Sequence, residues 1–160
     1  SFESRNKKLI EYCDNNFDTL ILSTGTSTFE EIKDSVKRIK NATLYLMHCV
    51  SVYPGSYQEA NIPKMKRLKL LSDNIGLSDH IPGVESAKVA IGEGARIIEK
   101  HFTIDKSLPG RDNKFSILPE ELKDLTDFIQ LRNEMFIDRG DGYNEKELDS
   151  RLNYTGRFNG

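Results

Sequence analysis

One unit repeats along this chain and limits its fold more than any other feature: a short apolar run, a polar loop, then an amphipathic segment. Thr19-Leu20-Ile21-Leu22-Ser23 is the first run, short and continuous as buried strands are. Ser27 and Glu30 follow at the spacing of a capping box with Ser27 as N-cap, and Phe29, Ile32, Val36 and Ile39 then recur at helical spacing. The second run is Thr43–His48. A polar loop over Ser51–Gln58 leads to a helix expected near Ile62–Ser72, with Pro63 in its first turn. Asn74–Ser78 reads as a third, shorter strand, and Val84–Glu93 as a helix closed by Gly94. Arg96–Phe102 is the fourth strand. A loop through Pro109-Gly110 then leads to a helix from Pro119 with Leu122, Leu125 and Ile129 on one face. A further helix is expected over Arg5–Cys13, and a short one near Glu145–Leu152 before a loose tail.

Strands alternating with helices imply a parallel sheet with right-handed crossovers. Two architectures satisfy this: a small doubly wound open sheet of flavodoxin type, and a piece of a (β/α)8 barrel, whose usual size is roughly 250 residues. The 160 residues hold one sizeable core, and four units are half of a barrel. A net charge of -2 argues against a nucleic-acid binder acting through bulk positive charge. No apolar run has the length of a membrane span. The charged opening Ser1–Arg5 is unlike a signal peptide, and Cys13 and Cys49 form neither a disulfide framework nor a zinc pattern, so the expected compartment is a reducing cytoplasm. The absence of an initiator Met leads to the expectation of a chain cut from something longer. No Gly-rich nucleotide loop follows a strand.

Each strand ends in chemically able residues: Ser23-Thr24-Gly25, His48-Cys49 running on to Ser51 and Tyr53, Ser78-Asp79-His80, and Glu99 with His101. In a parallel α/β fold these ends open on one face, where sites form, so all three histidines are expected at one rim. Glu99 and His101, two apart, share a strand face, with Lys100 on the other. His80 and His101 together could hold a divalent ion with positions left open for water and substrate, or could be hydrogen-bonded structural residues. Ser23, Ser51 and Ser78 could cradle a phosphate or serve as caps and turns. His48 reads as a packed core histidine.

The runs Ile21–Gly25, Met47–Pro54, Gly76–His80, Ile98–Thr103 and Leu108–Asp112, in this order, resemble the N-acetylneuraminate (sialic acid) synthase family, which includes the legionaminate and pseudaminate synthases. The resemblance spans Ser1 to about Phe136. It implies the C-terminal half, four βα units, of a (β/α)8 TIM barrel over residues 1–138, with a polar tail over 139–160. It also implies the family reaction: condensation of phosphoenolpyruvate with an N-acetylated hexosamine, N-acetylmannosamine or a diacetylated analogue, to a nonulosonic acid and phosphate.

By the same resemblance His80 and His101 match the family's ligands for a divalent metal, Mn²⁺ in the first instance. Ser1, Ser23, Ser51 and Ser78 match phosphoenolpyruvate-binding positions, and Tyr53 and Asp112 match sugar-binding ones. Glu3 matches a carboxylate that handles protons at the sugar carbonyl, and Glu99 an acidic residue beside the metal. Arg111 departs from the small residue or Pro usual before this Asp. The first barrel half and the C-terminal antifreeze-like domain of the family have no counterpart here, so activity is expected to require a homo-oligomer or a complementary barrel half; the alternative readings are a catalytically silent half-barrel fragment and a flavodoxin-like binding module.

Overall fold

The computed structural model describes residues 1–154 and Gly156. The chain runs α1 (Lys7–Asn16), β1 (Thr19–Ser23), α2 (Phe29–Val36), β2 (Thr43–Cys49), α3 (Lys64–Leu68), β3 (Ile75–Asp79), α4 (Glu85–Gly92), β4 (Ile97–Lys100), α5 (Pro119–Met135) and α6 (Leu148–Asn153). The four strands are all parallel, in the order β1-β2-β3-β4. Sequential order without reversal rules out the doubly wound sheet and is the order of a barrel segment. The loose tail expected after Leu152 lies, at Thr155 and Arg157–Gly160, outside the described residues.

Period-two alternation sorts the strands into two faces. Leu22, Leu46, Ile75 and Leu77 point toward the helices and pack with Ile32 of α2, Met65 and Leu68 of α3, and Ala90 of α4. A second cluster joins Val84, Ala87 and Ile91 to Ile117 and Leu125 of α5. Each fully buried aliphatic side chain contributes about 1.5–3 kcal/mol relative to exposure, so this sheet–helix seam is the main stabiliser. The other face carries Ser23, Met47, Gly76 and Ile97 in one cross-strand layer, and Cys49, Ser78 and Glu99 in the next. A Cβ at Gly76 would strike Met47 Sδ and the Ile97 carbonyl, so only glycine lets Met47 lie across this face.

Four local expectations change. Thr28, not Ser27, caps α2: its hydroxyl accepts from Glu31 N–H at 3.3 Å, while Glu31 Oε2 accepts from Thr28 N–H at 2.8 Å. Ser27 Oγ is already engaged with Ser4 Oγ at 2.8 Å. The helix expected over Ile62–Ser72 is α-helical only from Lys64 to Leu68. Beyond it Leu70 is exposed, and Ser72 Oγ donates to the Leu44 carbonyl at 2.9 Å instead of facing solvent. The fourth strand stops at Lys100, because the next residues pair with the returning loop: Ile117 N–H donates to His101 O at 2.8 Å, and Thr103 N–H to Ile117 O at 3.0 Å. Finally, the three histidines do not share one rim. His48 belongs to the helix-facing set, is fully buried, and bonds the Ala60 carbonyl through Nε2 at 2.7 Å.

At the opposite end of the sheet, Asp14 of α1 accepts from the backbone N–H groups of Lys40, Asn41 and Ala42, each at 2.9 Å. This ties α1 to the α2–β2 connection.

Candidate active site

The inner face of the strand ends collects most of the residues singled out above. His80 follows β3 directly and is buried; its Nδ1 lies 2.9 Å from the Val50 carbonyl. A carbonyl only accepts, so Nδ1 carries the proton, and in neutral imidazole Nε2 then holds the lone pair. His101 follows β4, with Nδ1 3.7 Å from Asp112 Oδ2. The two imidazole centroids are 5.4 Å apart. In His80 one ring nitrogen is fixed by a carbonyl oxygen, as in metal-bound histidines, whereas His101 Nδ1 only faces the Asp112 carboxylate, beyond hydrogen-bond reach. Among the described residues no three His, Cys, Asp or Glu side chains form a metal cage. Two imidazoles alone would leave the remaining positions of a divalent ion to water or substrate oxygens.

Aromatic rings wall this pair. Tyr53 lies over His80 at 4.0 Å between centroids and meets His101 edge-on at 6.0 Å. Phe115 contacts His101 at 5.3 Å. Tyr53 is half exposed. Its phenol is pushed above the ordinary range by burial and by the nearby charges of Cys49, Asp112 and Glu99. On the inner face Ser78 Oγ donates to Glu99 Oε1 at 2.9 Å, so that carboxylate is held by the neighbouring strand while remaining solvent-accessible.

A second cluster lies beside it. Ser1 Oγ donates to Cys49 Sγ at 3.3 Å, and Ser51 Oγ is 3.8 Å from the same sulfur. Both serine hydroxyls crowd Gly25, where a Cβ would collide with each of them. The backbone of the β1–α2 loop is thus left bare between two hydroxyls, as an anion cradle requires. Burial pushes the Cys49 thiol up. Hydrogen bonds with His80, Ser1 and Ser51 and the charge of His80 outweigh that and bring it to about 7. Burial likewise pushes His80 down, and its bonds to Cys49 and Val50 more than reverse this.

The structure therefore brings together His80, His101, Ser1, Ser51, Ser78, Glu99, Tyr53 and Asp112. Ser23 is on the same face, one layer nearer the strand starts. Glu3 is exposed in the turn before α1, and its carboxylate accepts from Asn6 Nδ2 at 2.7 Å. Cys49, noted above only as a residue at the end of the second strand, and Phe115 were assigned no role. Counting in twos from Met47 puts Cys49 on the inner face; Phe115 carries no comparable signal.

The NeuB family model matches residues 1–139. The chain is 38% identical over 141 residues to the N,N'-diacetyllegionaminic acid synthase of Legionella pneumophila, covering 81% of this chain and 39% of that protein. It is 33% identical over 156 residues to a pseudaminic acid synthase of Campylobacter jejuni, covering 95% and 46%. Among solved structures, the N-acetylneuraminic acid synthetase of Leptospira borgpetersenii, in complex with citrate, superposes with a TM-score of 0.85 at 31% identity, covering 96% of this chain and 56% of that one. The chain thus spans about two fifths to a half of the curated relatives it matches.

Proposed function

Because the chain belongs to the NeuB family, we propose that it forms one wall of an active site that condenses phosphoenolpyruvate with an N-acetylated hexosamine, yielding a nonulosonic acid and phosphate. The observation that carries this reading is the imidazole pair, His80 and His101, with Nδ1 of each turned to an oxygen. Held by these two residues, a divalent ion such as Mn²⁺ would supply Lewis-acid polarisation of the sugar aldehyde, favouring attack by the phosphoenolpyruvate methylene carbon.

The chain's own groups do the rest. Ser1 and Ser51, at the bare backbone of Gly25, offer hydroxyls to the phosphate of phosphoenolpyruvate, with Ser23 and Ser78 on the same strand face. Tyr53 and Asp112 flank the histidines on the open side and are the groups a sugar would meet first. Glu99 orients water near the ion from its bond with Ser78. Glu3 delivers the proton that the carbonyl oxygen needs as it becomes a hydroxyl, which requires its side chain to leave Asn6. Four βα units supply half of a closed barrel, so turnover needs a second wall from a complementary half.

Grafting residues 1–136 into a full-length relative in place of the matching segment tests this. Phosphate release that depends on both substrates, and that His80→Ala removes, supports the reading. A folded chimera without turnover contradicts it.

A further inference from the structure

We infer that the buried pair Asp79–Lys100 is a positioning device that sets the distance between His80 and His101; the inference rests on the reading of those histidines as a metal-binding pair. Asp79 is the residue before His80, and Lys100 the residue before His101. The two are register partners on neighbouring strands. Their side chains point to the helix side of the sheet, away from the candidate active site. There Lys100 Nζ meets Asp79 Oδ2 at 2.9 Å, with side-chain exposures of 5% and 2%.

The contacts around the pair converge on the peptide that follows His80. Ile81 N–H donates to Asp79 Oδ1 at 3.1 Å, and Lys100 Nζ donates to the Ile81 carbonyl. Ser86 Oγ of α4 donates to Asp79 Oδ2 at 2.6 Å. Both polar groups of Ile81 are therefore tied to the pair, one to each member. The backbone on either side of His80 is fixed to the residue from which His101 springs. A shift of β4 along β3 would disturb the ion pair and the spacing of the rings together.

A buried ion pair is a poor source of net stability, since apolar residues of similar volume often serve the fold as well. What it supplies that leucine and methionine cannot is directional register at one point of the ladder. A point fixed within one residue of two candidate ligands is where such a constraint matters most, because two-ligand sites depend on the spacing that their neighbours impose. Neither residue faces the inner cleft, so neither would touch substrate.

The test is the double variant Asp79→Leu with Lys100→Met in this chain. Thermal melting serves as the fold control. The readouts are Mn²⁺ affinity by calorimetry and, in the metal-free protein, the nuclear Overhauser contact between the His80 and His101 rings. The expected result is a melting temperature near wild type, Mn²⁺ binding about 10–100-fold weaker, and loss of the ring–ring contact. A folded double variant with unchanged affinity overturns the inference. If the wild-type chain binds no Mn²⁺, the metal reading fails by itself; the positioning role then stands if the ring contact is lost in the double variant and falls if it persists. If the double variant does not fold, Ser86→Ala replaces it. A several-fold weakening there supports the inference, and unchanged affinity with an unchanged ring contact overturns it.

Discussion

The imidazoles of His80 and His101 lie just beyond the ends of β3 and β4, 5.4 Å apart and inclined by 56°. Their spacing follows from the β3–β4 register, in which Ser78 pairs with Glu99 and Asp79 with Lys100. The same register carries the hydrogen bond between Ser78 and Glu99 on the inner face and the ion pair between Asp79 and Lys100 on the outer one. One ladder thus presents candidate chemistry on one side and its mechanical support on the other.

Gly25→Ala should weaken phosphoenolpyruvate binding by about tenfold, equivalent to about 1.4 kcal/mol. The added methyl occupies the space between Ser1 Oγ and Ser51 Oγ. Calorimetric titration of the variant checks this, and an affinity equal to wild type would show that the cradle is not used.

Leu46→Ala should cost about 2–5 kcal/mol of folding free energy. Leu46 is fully buried at the centre of the sheet–helix seam. Urea denaturation reads the loss directly. A loss below 1 kcal/mol, on that same range, would mean the seam is not the main stabiliser.

Acid stability should depend on Asp14. Backbone N–H donation from Ala42, and then from Lys40 and Asn41, holds its carboxyl below the ordinary 3.8 despite the opposing effect of burial. A depressed folded value means that the stabilisation is present above the unfolded value and is lost as pH falls through the folded one. Stability of the wild type should therefore fall on acidification below about pH 4, with a smaller slope in Asp14→Asn. Equal slopes for the two proteins would remove Asp14 from the acid transition.

Much of this was legible because it rests on periodicity. The strand–helix alternation gives four parallel strands, and the two-residue spacing of Glu99 and His101 puts both on the inner face. The same rule, applied from Leu44 and Leu46, sends His48 to the helices, where it is the packed core histidine expected; only the expectation of all three histidines at one rim fails. The shift of the α2 cap from Ser27 to Thr28 was not legible, since it depends on Ser4, 23 residues away in sequence, claiming the Ser27 hydroxyl. Nor was the early stop of β4, which reflects pairing of His101 and Thr103 with Ile117. The weight of Lys100 was hidden for a related reason: a lysine inside a strand reads as an exposed residue until its partner on the next strand is known.

No helix among the described residues is long and apolar enough to cross a membrane. Calorimetry with Mn²⁺ on this chain, alongside His80→Ala and His101→Ala, probes the metal-binding pair directly. The account predicts one binding site in the wild type and none in either variant, with all three proteins folded. A folded wild-type chain that binds no Mn²⁺, or binding that survives both substitutions, would contradict it.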